Sequence, residues 1–303
     1  MQLGLIGLGK MGWNLAMNCN SKGHEVIAFD INSVVRKEAK AAGINVAESL
    51  DELIHKLRER RVIWMMVPAG SPVDSLLAKL KSQLKVGDII IDGGNSHYKE
   101  SVMRSTDLAA SGIEYLDCGT SGGISGALEG ICAMIGGKKE VFAHCEPLFK
   151  SICLENGYLY CGDSGSGHYV KMVHNGIEYG MMQAIGEGFE MLQSSGYKLD
   201  HKAVANVWNH GSVIRGWLME LTEKAFSKDG DLSNIRGIVH SSGEGKWMVE
   251  TALQNNVATP VIAMSLLMRY RSLQDDSFSA KLVAALRNEF GGHGVVEKKK
   301  RGL

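Results

Sequence analysis

Residues 2–12 read Gln2-Leu3-Gly4-Leu5-Ile6-Gly7-Leu8-Gly9-Lys10-Met11-Gly12, and the reading of this stretch decides the fold. Leu3–Ile6 is a short apolar run, suited to a strand buried on both faces. It ends in a segment, Gly7 through Gly12, that fits GxGxxG, and Trp13–Lys22 follows with helical spacing. A glycine triplet alone is a weak signal. Between a strand and a helix at the start of the chain it reads as a dinucleotide-binding turn. The first glycine permits the turn, the second lets backbone approach a pyrophosphate, and the third lets helix pack on strand. The helix start offers free N–H groups and the positive end of its dipole to phosphate. Gly7, Leu8, Gly9, Lys10, Met11 and Gly12 are therefore candidate cofactor contacts, with a purely structural turn as the alternative.

The next strand-like run, Glu25–Phe29, ends at Asp30, where a carboxylate can accept both hydroxyls of a ribose. A carboxylate repels a 2′-phosphate, and the following Ile31-Asn32 supplies no arginine, so NAD is expected in preference to NADP. Asp30 as a helix N-cap before Ser33 is the competing reading. Further short apolar runs follow at Val62–Val67 (stopped by Pro68), Asp88–Ile91 (stopped by Gly93-Gly94), Glu114–Cys118, Ile131–Ile135 and Tyr158–Cys161. Such runs alternating with helical stretches predict a doubly wound, mostly parallel α/β sheet of Rossmann type over 1–164. Residues 165–303 are expected to be all-helical, a substrate and dimerisation domain. It opens with a long helix over 168–194, which links the two halves, and continues with helices near 201–209, 213–226, 244–255, 261–273 and 277–290.

The 303 residues allow about two domains. Lys+Arg 33 balances Asp+Glu 33, which argues against a general nucleic-acid or anionic-membrane binder. Gly 37 against Pro 4 points to tight turns and close backbone approach rather than disorder. No apolar stretch reaches membrane-spanning length, and the N-terminus lacks a basic segment before its apolar run, so no signal peptide is read there. The six cysteines form no CxxC pair and are expected as reduced thiols of a cytoplasmic protein. No HExxH or acidic cluster is present, so no metal is expected. The Lys298-Lys299-Lys300-Arg301 run reads as a solvated terminus rather than a nucleic-acid signal.

Lys171, His174, Asn175 and Glu178 stand at i, i+3, i+4 and i+7 on the long helix, with Tyr179 at i+8, so they share one face. Together they provide a base, an acid and oriented donors. A solvated polar stripe is the alternative, but Met172, Val173, Ile177 and Met181 lead us to expect most of the remaining helix surface to be buried. Asn95 follows Gly93-Gly94 at a strand end, on the crevice side of an open sheet, or else caps the helix near 97. Ser121-Gly122-Gly123 offers a hydroxyl and backbone N–H groups, or else is a flexible turn.

At these residues the sequence resembles the β-hydroxyacid dehydrogenases. The likeness rests on Gly4 through Gly12, on Asp117-Cys118-Gly119-Thr120-Ser121-Gly122-Gly123, and on Gly165 through Asn175. The finer resemblance is to the decarboxylating 6-phosphogluconate dehydrogenases. It rests on Asp92 through Ser96, Lys171 through Gln183, Gly245-Lys246-Trp247, and Arg287 through His293. The resemblance covers essentially the whole chain. It implies Lys171 as general base and then acid, and Glu178 as the acid that protonates the enediol. Asn95, Ser121, Gly122, Gly123, His174 and Asn175 would hold the sugar acid. Tyr179, Arg269, Arg287 and His293 would hold its phosphate, with Arg287 and His293 supplied in trans in a homodimer or homotetramer. Val67, Pro68, Ala69 and Asn95 would join the cofactor site.

The chain departs from the long members of that family, which run to roughly half again its length and whose cofactor loop suits NADP. It resembles a short, NAD-preferring branch. A lysine that long members carry four residues before Lys246 is Ser242 here; Lys246 is either its substitute or an ordinary surface lysine. A dehydrogenase acting on an unphosphorylated hydroxy acid, and a non-catalytic NAD-sensing protein, are the competing readings. The phosphate-type cations argue against the first and the Lys171/Glu178 pair against the second.

Overall fold

The computed structural model describes residues 1–296; the Lys298–Arg301 run lies outside the described residues. Seven strands form one sheet: β1 (Gln2–Ile6), β2 (Glu25–Phe29), β3 (Val62–Met65), β4 (Ile89–Asp92), β5 (Glu114–Ser121), β6 (Ile131–Gly137) and β7 (Cys153–Gly162). Their order is β2-β1-β3-β4-β5-β6-β7, and every neighbouring pair is parallel except β5 with β6. A lone parallel bridge, Ala28 to Val46, stands beyond β2 where a further strand would lie. Helices α1 (Lys10–Ser21), α2 (Ser33–Ala41), α3 (Leu50–Lys56), α4 (Ser71–Lys81), α5 (Tyr98–Ala109), α6 (Gly123–Glu129) and α7 (Lys139–Ile152) connect the strands.

The uniform apolarity of the strands follows from burial on two sides. Alternate residues of one strand enter different cores: Val62 and Trp64 join one, and Ile63 and Met65 the other. Both faces must therefore be apolar, which a period-two pattern would not satisfy. Two strands are longer than the expected runs. β5 continues past Cys118 because Thr120 and Ser121 still pair with Ala133 and Cys132 of β6. β7 begins at Cys153 rather than Tyr158, through an exposed segment with a register shift and with Asn156 at φ 60°, features that apolar patterning does not reveal.

The chain divides into two compact units after Gly176, within the 28-residue helix α8 (Ser166–Gln193). In the first unit the start of α8 is fixed to the sheet by Asp117, buried in β5. Its carboxylate accepts the N–H of Gly165 at 2.6 Å and of His168 at 2.9 Å, so a strand side chain caps the helix. Gly167 lies so close that a Cβ there would meet the carbonyl oxygen of Asp117 at 2.6 Å and the amide nitrogen of Gly136 at 2.7 Å.

The second unit is helical: α9 (His201–Asn209), α10 (Trp217–Lys228), α11 (Glu244–Gln254), α12 (Pro260–Ser272) and α13 (Phe278–Gly291) follow the rest of α8. α10 starts four residues later than the apolar spacing implied, because Gly216 at φ 156° breaks the backbone before Trp217. The small core here is Phe189, Ala205, Met219 and Phe226. α13 buries none of its residues. Ile177 and Met181 are also exposed, against the expectation that the apolar residues of α8 are covered.

The close approach at Gly167 yields a contrast that equilibrium denaturation can check. Gly167→Ala is expected to destabilise by several kcal/mol, roughly the overpacking range, because the opposing atoms are backbone and cannot move aside. Gly188→Ala, in the same helix with no atom near the added Cβ, is expected to stabilise by about 0.5–1 kcal/mol through helix propensity.

Candidate active site

The carboxyl ends of β1 to β4 bring the first group of expected residues together. Gly7 N–H donates to Phe29 O, Met66 N–H to Ile6 O and Gly93 N–H to Met65 O, which joins the four strand ends into one rim. The order reverses between β1 and β3, the point where open α/β sheets form a crevice. Gly7 has φ 98°, and a Cβ on it would overlap the carbonyl of Met66; a Cβ on Gly12 would overlap the carbonyl of Gly7. These two glycines hold turn and helix against the strand. Gly9, the N-cap of α1, has no atom within 4 Å of its Cβ position, and no side chain caps the helix. Open space thus faces the uncapped N–H groups at Gly9–Met11, the geometry that a pyrophosphate needs. Lys10 is exposed and Met11 half-buried in the first turn. Val67, Pro68 and Ala69 continue from β3 on the same rim, partly or fully exposed.

Asp30 sits beside this turn. Its Oδ2 accepts the Leu8 N–H at 2.7 Å and its Oδ1 the Asn32 N–H at 2.8 Å. The competing N-cap reading fails: α2 is capped by Asn32, whose Oδ1 accepts the Val34 N–H at 2.9 Å. The expectation that no arginine is near also needs correcting. Arg36, one helical turn further on, donates to the carbonyls of Asp30 and Ile31 at 2.8 and 3.2 Å and pairs with Glu48 at 3.3 Å. The helical periodicity of α2 brings it back to the strand end, which reading only the adjacent residues overlooks.

Asn95 is exposed, while its neighbours are anchored from beneath. Asp92 Oδ2 accepts from the Ser96 hydroxyl at 2.8 Å and the Tyr115 hydroxyl at 2.9 Å. Burial, then the nearby carboxylates of Asp92 and Asp117, push the Tyr115 phenol well above its ordinary value and keep it a donor. α5 is capped by His97, not by Asn95, so the alternative reading of Asn95 is removed.

The helix stripe lies partly in each unit. Lys171 and Asn175 are buried in the first, and Lys171 packs over Gly119 of β5, where any side chain would collide with it. His174 Nδ1 donates to Asn175 Oδ1 at 2.9 Å, so in the neutral ring Nε2 accepts from the Ser121 hydroxyl at 3.3 Å. Gly122, at φ 111°, and Gly123 turn the chain from β5 into α6 with no side-chain cap. Five of the residues expected to hold substrate, Ser121, Gly122, Gly123, His174 and Asn175, thus meet at the end of β5. Glu178 is half-buried on the next turns of α8.

In the second unit Tyr179, also on α8, is buried, and its hydroxyl lies 3.3 Å from both the Ser242 hydroxyl and the Ser242 amide nitrogen. The Arg269 guanidinium stacks 3.3 Å from the centre of the Tyr179 ring and donates to His240 O at 3.2 Å. Ser242, Tyr179 and Arg269 therefore converge. Lys246 instead pairs with Glu250 at 3.5 Å, the behaviour of a surface lysine. Arg287 and His293 stand on and after α13; among the described residues, no hydrogen bond or ion pair joins them to Tyr179 or Arg269.

The six thiols are all free. Burial pushes Cys19, Cys145 and Cys153 up to about 12, so these are packing residues. Sequence reasoning assigns no role to the anchors Asp117, His168 and Ser101; the one signal is an acid, Asp117, between the apolar residues Tyr115-Leu116 and Cys118.

Comparison with known proteins accounts for both units. The profile for the NAD binding domain of 6-phosphogluconate dehydrogenase matches residues 2–162, and that for the 6-phosphogluconate dehydrogenase C-terminal domain matches 167–280 and 196–303. The chain is 57% identical over 298 residues to the Bacillus subtilis protein YqeC, which carries a 6-phosphogluconate dehydrogenase name, spanning 98% of this chain and 100% of that protein. It is 46% identical over 300 residues to the NAD(+)-dependent, decarboxylating 6-phosphogluconate dehydrogenase of Haloferax volcanii, spanning 98% and 99%. Among solved structures it is similar to Plasmodium falciparum 6-phosphogluconate dehydrogenase, described with NADP+ and with 6-phosphogluconate. That match has a TM-score of 0.84 and 30% identity, over 100% of this chain and 67% of that one. Mycobacterium tuberculosis 3-hydroxyisobutyrate dehydrogenase, at 19% identity and TM-score 0.71, over 90% and 94%, shares the fold. Matched in both its sheet unit and its helical unit, and over its full length by relatives of its own size, the chain belongs to the 6-phosphogluconate dehydrogenase family.

Proposed function

We infer that this protein oxidises and decarboxylates 6-phosphogluconate to ribulose 5-phosphate and CO2, with NAD as oxidant. The observation that carries this reading is the α8 stripe: a buried Lys171 on the Gly119 backbone, next to the His174–Ser121 and His174–Asn175 hydrogen bonds. A binding protein has no use for a buried amine there, while a hydroxy-acid oxidation needs a base at the alcohol. Family membership and the NAD-dependent relatives support the same reading.

The first unit fits a dinucleotide. The open, uncapped start of α1 suits the pyrophosphate, and Asp30, already oriented by the Leu8 and Asn32 amides, suits a free ribose 2′-hydroxyl. Arg36 points at main-chain carbonyls and Glu48, which is consistent with NAD rather than NADP. Bound NAD supplies the acceptor for hydride.

In the proposed chemistry neutral Lys171 takes the C3 hydroxyl proton as hydride leaves C3. The 3-keto acid formed loses C1 as CO2, and the C1–C2 bonding pair passes into the C2–C3 enolate. Lys171 returns its proton to the enolate oxygen, so the developing charge is neutralised without a metal. Glu178 then protonates the carbon that becomes C1 of the product, as Lys171 takes back the hydroxyl proton. Asn95, Ser121, Gly122, Gly123, His174 and Asn175 are the proposed contacts to the sugar acid.

Tyr179 and Arg269 are the proposed phosphate contacts, with Ser242 where long relatives carry a lysine. Arg287 and His293 complete them from the partner in a homo-oligomer. Support comes from α13: Phe278, Leu282, Leu286 and Phe290 recur at i, i+4, i+8 and i+12, are all exposed, and form an apolar stripe that the described residues leave uncovered. No described helix is long and apolar enough to cross a membrane, and we place the enzyme in the cytoplasm.

Purified protein with 6-phosphogluconate and NAD is expected to form reduced nicotinamide and CO2 in equal amounts, more efficiently than with NADP. No turnover with either cofactor would refute the assignment, and reduction without CO2 would point to an unphosphorylated hydroxy acid. Lys171→Met is expected to lower kcat by about 10³-fold or more while NAD binding, followed by calorimetry, persists. Residual activity near the parent's would exclude Lys171 as base. Asp30→Ala is expected to weaken NAD binding about 10-fold and to raise the NADP/NAD ratio of kcat/KM; an unchanged ratio would remove Asp30 from cofactor selection.

A further inference from the structure

The buried imidazole of His168 joins two parts of the proposed site that the chemistry requires to be in register. It is 2% exposed and lies in the first turn of α8, one turn before Lys171. Its Nε2 is 3.0 Å from the carbonyl oxygen of Gly94, and its Nδ1 is 2.7 Å from the Ser101 hydroxyl. A carbonyl can only accept, so Nε2 carries the proton. In the neutral ring Nδ1 then accepts the Ser101 hydroxyl proton, so the Gly94 carbonyl fixes the tautomer and the Ser101 hydroxyl adapts to it.

Gly94 immediately precedes Asn95. Its own N–H lies 3.3 Å from Asp92 Oδ1, and Ser96 on the other side of Asn95 is held by Asp92 as well. Those anchors belong to β4 and bind the loop to its own strand. His168 is the anchor that comes from α8. It ties the exposed Asn95 to the helix that carries Lys171, and that helix start is itself fixed by Asp117.

We propose that His168 is a positioning residue: as an Nε2–H donor to the Gly94 carbonyl, it sets the placement of Asn95 relative to Lys171. It touches neither substrate nor cofactor. The proposal rests on the dehydrogenase reading for its kinetic consequence, but not for its structural one.

Two variants separate the donor from the ring's bulk. His168→Phe keeps a ring and loses the donor; His168→Gln places an amide N–H near the Nε2 position. His168→Phe is expected to lower kcat with 6-phosphogluconate and NAD about 10–100-fold, the cost of a small misplacement. NADH binding, which has the Gly7–Gly12 turn and Asp30 as its main contacts and Asn95 as a lesser one, is expected to stay within about threefold of the parent. His168→Gln is expected to recover at least about a third of the parent kcat, because its donor reaches the same carbonyl. Amide exchange of the Gly93–His97 segment, which needs no substrate, is expected to accelerate about 10-fold or more in His168→Phe and to return towards the parent in His168→Gln.

A folded His168→Phe with parental exchange in that segment overturns the proposal whether or not the parent turns over 6-phosphogluconate. So does a His168→Gln as impaired as His168→Phe, which would make bulk rather than the donor decisive. If the parent fails to turn over while the exchange changes as expected, the substrate assignment fails and the positioning role stands.

Discussion

A single buried carboxylate holds the architecture of this site. Asp117 leaves the middle of β5 and accepts the amides of Gly165 and His168, capping a helix that begins some fifty residues later in the chain. Buried helix ends otherwise leave unsatisfied N–H groups, and a charged acceptor supplies a stronger partner than a neutral one. The cap fixes more than the helix end. The close contact at Gly167 and the packing of Lys171 over Gly119 both require α8 to meet β5 and β6 at one depth. With that depth set, His174 reaches Ser121 and His168 reaches Gly94. The proposed base, the sugar-acid contacts and the Asn95 loop thus share one reference point on the sheet.

The fold was largely legible in the sequence, for a physical reason. Strands buried on both faces leave uniform apolar runs, and glycine turns and Asp30 mark where they end. The Glu25–Phe29 and 201–209 boundaries coincide with the observed elements. What patterning could not supply was polar continuation. β5 extends through Thr120 and Ser121 because its antiparallel neighbour keeps pairing there, and that pairing partner is unknown until the sheet is assembled. Arg36 was missed similarly, since it returns to Asp30 only once α2 has made a full turn.

The candidate site was legible as residue types but not as connections. The spacing of Lys171, His174, Asn175 and Glu178 put them on one face, and the glycine turn and Asp30 met at one rim as read. Long-range hydrogen bonds carry no local signal: His168 to Gly94 spans 74 positions and Asp117 to His168 spans 51. The exposure of Ile177 and Met181 ran against the expectation that the apolar residues of α8 are covered. Apolar patterning marks a face for burial without saying what will bury it.

If Asp117 sets the position of α8, it acts on the chemistry of Lys171 without touching the cofactor turn. The direct measurement is kcat for Asp117→Asn with 6-phosphogluconate and NAD, alongside NADH affinity, in protein shown to be folded by its thermal transition. Asn keeps one acceptor oxygen and sets an NH2 donor against the other backbone N–H, so one of the bonds to the Gly165 and His168 amides is lost; kcat is predicted to fall about 10²-fold while NADH affinity stays within about threefold. A folded variant with kcat within threefold of the parent would contradict the account.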